Sequence, residues 1–274
     1  MAEKDLSAKL PHDTLPMASP SASFLDALVI DYGPLQLLGR FFAAMDSACA
    51  ERGVSLSLEK IGAASHIQAM NADSWHSFPP MLDTRIAAID DTSGYCFVGR
   101  NLSGAAVAVM AGRIYDGTNL TLGEIVADQS FIYGKAPVVL GGPRFEISAE
   151  SSEHVTTPFS YIGALWVHPT FRGAQLARLL PMLTRAYALA KWNIKFDVGL
   201  VNDAMAVAGM GSVYGYSNSE KGFRSYGLPG NEIVTGEVLW MGSGELIEQL
   251  REFLSTRLSQ VDSGRVDRTA DYKN

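Results

Sequence analysis

The chain has 274 residues, 47% apolar and 19% charged, which excludes wholesale disorder because that needs low hydrophobicity and high net charge. Lys plus Arg number 22 against 29 Asp plus Glu, so the net charge of −7 argues against a surface built to coat nucleic acid or anionic lipid. No apolar run approaches the roughly 18 residues of a membrane span, and the N-terminal stretch lacks the apolar core of a secretory signal. Cys49 and Cys96 are too few for a disulfide framework or a zinc site, and both sit among apolar residues as expected of buried free thiols. These features predict a cytoplasmic globular protein with no metal, no nucleic-acid partner and no membrane.

In chain order, residues 1–25 mix Pro, Ser, Ala and charge without periodicity and read as a flexible arm. Leu35, Leu38, Phe41, Phe42, Met45 and Cys49 recur at helical spacing, and a short strand is predicted over Val54–Leu58. Ala63–Arg85 reads as a helix followed by an aromatic-rich loop carrying Trp75, Phe78, Pro79, Pro80 and Met81. Residues 30–92 are thus expected to form an N-terminal helical extension packed on a core spanning 93–260. Tyr95–Val98 and Ala105–Ile114 predict a hairpin closed at Asn101-Leu102-Ser103-Gly104. Residues 117–159 are rich in Gly, Pro, Ser and Glu and read as an insertion, with a helix predicted over Leu120–Ile132. Beyond it come a strand at Tyr161–Val167, a helix over Gly173–Lys191 kinked at Pro181, and a strand at Phe196–Val201. A short helix over Asp203–Gly209, a strand at Glu232–Met241 and a closing helix starting at Ser243 follow, with 261–274 as a frayed tail. The order is that of an α/β (mixed α+β) fold, a twisted mixed sheet flanked by helices.

The most informative stretch runs from Tyr161 to Leu180. A strand ends at Pro169, a short turn follows, and Arg172-Gly173 opens an amphipathic helix. Free N–H groups and the macrodipole make such a helix start an anion site. Gly173, Ala174 and Ala177 let a pyrophosphate approach the backbone, and Arg172 adds charge-assisted bonds.

With Val167-His168-Pro169 followed by Arg172-Gly173-Ala174-Gln175-Leu176-Ala177, the sequence resembles the GNAT superfamily of acyl-CoA-dependent N-acyltransferases. Gln175 stands where that family usually has glycine. Val201-Asn202-Asp203-Ala204 after a strand, and Tyr214-Gly215-Tyr216 in place of the family's Gly-Phe, extend the resemblance to about residues 93–243. It implies acetyl-CoA or another acyl-CoA as co-substrate, held by Leu165, Trp166 and Val167 through their backbone, by Arg172 to Ala177, and by Asn202. It further implies acyl transfer to a primary amine of a small molecule by direct attack, with one strand N–H polarising the thioester carbonyl and a general acid protonating the thiolate.

The family's usual tyrosine falls on Gly211 here, leaving Tyr214 and Tyr216 as the candidate acids. No carboxylate lies on Tyr161–Val167, so Glu146, Glu150, Glu153 or His154 of the insertion would have to supply a base. His168, before a proline, reads as a turn residue ahead of a base. Residues 117–159 and the Trp75–Met81 loop are expected to wall the acceptor pocket, the alternative being a surface excursion or an oligomer contact such as a homodimer. A non-catalytic acyl-CoA-binding domain, and an acyltransferase using longer acyl-CoA or acyl-carrier protein, are the competing functions.

Overall fold

A computed structural model of the protein describes residues 23–75, 77–228 and 233–270. Among them, one mixed sheet runs in the order β1-β2-β3-β5-β6-β8-β7-β4. Its strands are β1 (Ser55–Glu59), β2 (Gly94–Arg100), β3 (Ala106–Tyr115), β4 (Arg144–Ile147), β5 (Phe159–Val167), β6 (Phe196–Asn202), β7 (Asn218–Tyr226) and β8 (Val234–Gly242). β5 and β6 are parallel, and every other pairing is antiparallel. The predicted β2–β3 hairpin is present. Asn101 closes it by accepting from the N–H groups of Ser103 and Ala105, each at 3.0 Å.

Side chains alternate along the strands, so the sheet buries two apolar clusters, one per face. Tyr95 and Phe97 of β2 belong to the first, with Phe41, Phe42 and Met45 of helix α1 (Leu35–Ala50) and Leu180 and Leu183 of helix α6 (Leu176–Trp192). The closing helix α9 (Ser243–Ala270) adds Leu246 and Leu250 to that face. Cys96 and Val98 belong to the second cluster, with Ile67 of helix α2 (Gly62–Met70), Trp75, Met81, and Phe131 and Tyr133 of residues 117–159.

Several expectations change. The strand predicted at Val54–Leu58 is present as β1, and it joins the main sheet as an edge strand antiparallel to β2, so residues 30–92 are not helical alone. Order begins before residue 25: Phe24 is fully buried and meets Phe97 edge-to-face at 5.8 Å. Residues 1–22 lie outside the described residues. The stretch 117–159 folds into α3 (Leu122–Ala127), α4 (Ser130–Tyr133), β4 and α5 (Ser151–His154), and β4 pairs with β7 at the far edge of the sheet. The segment therefore spans the second face instead of leaving the domain. Arg113 of β3 fastens it there, donating to the carbonyl oxygens of Met81 at 3.1 Å and Ile132 at 2.8 Å. α6 starts at Leu176, not Gly173, and runs uninterrupted across Pro181. β8 begins at Val234; Glu232, its expected start, lies outside the described residues. α9 continues through Ala270, past the residue where the tail was expected to begin. No helix of the described residues is long and apolar enough to cross a membrane.

Candidate active site

The site begins with an opening in the sheet. β5 and β6 pair only over Phe159–Tyr161 and Phe196–Val198, then part, although both strands continue. From Ile162 to Val167 the edge of β5 that faces β6 has no ladder partner. β5 also carries one extra residue against β3: Val109 opposes Trp166 and Ala111 opposes Gly163, leaving Ala164 and Leu165 opposite Met110 alone. Ala164 takes φ +54°, the left-handed region that side chains resist, and the bulge bends β5 away from β6. A cavity of about 570 Å³ fills the gap and pierces the sheet. Ile162–Val167 form one wall, and Gly199, Leu200 and Asn202 form the other.

At one mouth lies the turn into α6. His168 caps it: Nδ1 accepts from the Thr170 N–H at 3.3 Å and pairs with Thr170 Oγ1 at 2.7 Å, so His168 serves the turn. Pro169–Phe171 make one 3-10 turn, after which Gly173 at φ +96° and Gln175 at φ +59° reverse the chain. The positive φ of Gln175 is the physical reason glycine would suit that position. The N–H groups of Arg172 and Ala174 are spent inside the turn, on the Pro169 and Phe171 carbonyls. Those of Gly173, Gln175, Leu176 and Ala177 have no hydrogen-bond acceptor among the described residues. The expected donor run of Arg172–Ala177 therefore reduces to these four.

Arg172 lines the cavity mouth and Arg178 stands in the first turn of the helix; both are exposed and without an ion-pair partner among the described residues. Arg52, not singled out from sequence, braces the turn from behind. Its Nε donates to the Ala174 carbonyl at 2.8 Å, Nη1 to the Ala48 carbonyl at 2.6 Å and Nη2 to Gln175 Oε1 at 3.2 Å. Gln175 is thus held toward Arg52. Leu176 is buried in the first core, so its backbone is the part available to a ligand. Asn202 caps helix α7 (Asp203–Val207), its Oδ1 accepting from the Met205 N–H at 2.9 Å, and lines the cavity beside β5.

The two candidate tyrosines differ. Tyr214 follows helix α8 (Met210–Val213) and lines the cavity; burial pushes its phenol up to about 12, and its hydroxyl has no partner among the described residues. Tyr216 lies against Gly199, where even a methyl group would come within 2.8 Å of its hydroxyl. That hydroxyl donates to Asp197 Oδ2 at 2.6 Å. Ser160 donates to the other carboxylate oxygen, and the Arg185 guanidinium stacks 4.8 Å over the Tyr216 ring. Burial raises the Asp197 carboxyl from 3.8 to about 7, against the opposing pull of Arg185 and the two hydrogen bonds. This buried network was missed from sequence; its members are scattered along the chain with no motif to join them.

The far end of the cavity opens onto the second face. Trp166 stacks on Trp75 with ring centroids 5.6 Å apart and 7° between planes, and its Nε1–H donates to Ser74 Oγ at 3.3 Å. Ser74, Trp75 and Ser77–Met81 line this chamber, while residues 117–159 contribute Phe145. Glu146, Glu150, Glu153 and His154 do not reach it. Glu146 accepts from Tyr226, and His154 faces Glu150 at 3.7 Å on the surface. Among the described residues, no group of three or more His, Cys, Asp or Glu could hold a metal ion.

No protein-family model and no curated protein matches the chain. Solved structures similar to it are GNAT-family acetyltransferases. One is the spermidine/spermine N-acetyltransferase SpeG from Vibrio cholerae, 12% identical over 72% of this chain and 98% of that one, with a TM-score of 0.41. Another is an acetyltransferase of the GNAT family from Streptococcus pneumoniae, 10% identical over 69% of this chain and 98% of that one, with a TM-score of 0.38. At these identities and scores the likeness does not by itself identify the chain.

Proposed function

We propose that the protein is a GNAT-like N-acyltransferase, moving an acyl group, most simply acetyl, from acyl-CoA to a primary amine of a small molecule. The observation that carries this reading is the parting of β5 from β6 directly beside four N–H groups and an Arg172 that have no partner among the described residues. An elongated anionic ligand fits that combination. Its pyrophosphate would take the N–H groups of Gly173, Gln175, Leu176 and Ala177 with Arg172, and its amide-bearing arm would run along the unpaired edge of β5. Acyl-CoA, when bound, supplies the activated carbonyl carbon. The amine nitrogen bonds to that carbon, the carbon–sulfur bond breaks, and the proton gained by sulfur balances the one lost from nitrogen.

This chain's residues have three tasks in that exchange. A backbone N–H of Leu165–Val167 donates to the carbonyl oxygen as charge builds on it. Tyr214, kept neutral by burial, hands its proton to the departing sulfur and is reprotonated at the expense of the amine proton, through water. Tyr216, committed to Asp197, holds the strand-side wall in place.

A second reading, acyl-CoA binding without turnover, is favoured by the absence of any carboxylate or imidazole among the described lining residues. Thiol release from acetyl-CoA across an amine panel separates the two. The enzyme releases thiol only when amine is present, and a pure binder shows a stability shift with CoA and no thiol.

A further inference from the structure

The chamber on the second face is built from Trp75, Phe78, Phe145, Tyr161, Trp166 and Phe223. Among its described lining residues there is no Asp, Glu or Lys, and Arg172 at the opposite mouth is the only charged group. One polar side chain stands out. Ser225 is 1% exposed, lines the chamber and pairs across the sheet with Phe145, yet its hydroxyl has no hydrogen-bond partner among the described residues. A buried hydroxyl left unpaired is costly, so it favours a ligand that brings a partner for it.

Resting on the acyltransferase reading, we infer that the acceptor is a primary amine carried on an aromatic body that bears one hydrogen-bonding group, met by Ser225. Flat aromatic walls reward a ring by burial and by edge or offset stacking. An acceptor with several ammonium groups would instead lose hydration in a chamber whose described lining residues offer no anion. The amine end points to the gap beside Leu165–Val167, and the substituted ring occupies the chamber.

The test is calorimetric titration of the CoA-loaded full chain with tyramine, phenethylamine and spermidine, repeated on Ser225→Ala. Tyramine is expected to bind at least tenfold more tightly than spermidine, and severalfold more tightly than phenethylamine. Ser225→Ala should abolish the second difference and narrow the first by the same factor, leaving phenethylamine's advantage over spermidine unchanged. Spermidine binding as well as tyramine, or no amine binding at millimolar concentration, overturns the inference. So does a chamber filled from the other side, seen as octanoyl-CoA displacing tyramine while acetyl-CoA does not. Failure of CoA itself to bind would instead overturn the acyltransferase reading. The amine titrations on the CoA-free chain then still decide whether the chamber prefers an aromatic ligand.

Discussion

Tyr216 donates its phenolic hydrogen to Asp197 at 2.6 Å, so the two tyrosines beside the cavity are not equivalent: one hydroxyl is committed, and that of Tyr214 has no partner among the described residues. Replacing Tyr214 by Phe should lower kcat at least tenfold with little change in CoA affinity. Replacing Tyr216 by Phe should act mainly through stability, because it leaves a buried carboxyl short of a donor. Steady-state kinetics beside thermal melts distinguish the two. A larger kcat loss for Tyr216→Phe with an unchanged melt would reverse the assignment.

The same pair predicts a pH dependence. Asp197 rises from 3.8 to about 7 on burial, so between those values the folded state binds a proton that the unfolded state has released. The stabilisation tied to that proton is complete below about pH 4 and is lost as the pH climbs through 7, at up to about 1.4 kcal/mol per pH unit. Asp197→Asn should flatten this part of the stability curve. Denaturant melts at pH 5 and pH 8 check it. An equal pH slope in both proteins would show that Asp197 stays ionised throughout.

At the α6 turn, Arg172→Glu should weaken CoA binding by more than tenfold, about 1.4 kcal/mol or above, because it puts a negative charge at the phosphate mouth. Calorimetry reads this directly. Unchanged affinity would place the nucleotide elsewhere.

Arg52 does not line the cavity, but it holds the Ala174 carbonyl and the Gln175 side chain. Arg52→Ala should therefore loosen CoA binding severalfold while leaving Arg172 in place. Arg52→Lys should recover little of it, since a lysine cannot span three acceptors with a planar fork. Full recovery by lysine would make the effect one of charge alone.

The central part of the fold was legible because its patterns are strong. The Tyr161–Val167 strand, the proline, Arg172-Gly173 and an apolar helix face all agree with one another. β7 was not foreseen, because only Phe223 and Ser225 among its nine residues are buried and its polar alternation has too little apolar content to read. β4 is four residues long, below the length at which periodicity speaks. The bulge beside the gap has no residue signal: it depends on a left-handed Ala164, a conformation no sequence pattern would assign to alanine. Tyr216 was singled out as a candidate acid, but its engagement with Asp197 is a tertiary fact. Asp197 lies inside an apolar strand, a placement that could have flagged it as a buried group in need of partners.

The measurement that bears most directly on the central claim is an amide NMR titration of the full chain with CoA. Saturable shifts are expected at the N–H groups of Gly173, Gln175, Leu176 and Ala177 and along Leu165–Val167, with Arg172→Glu suppressing the first set. Saturable binding that leaves those amides unmoved, or no binding at all, would contradict the claim.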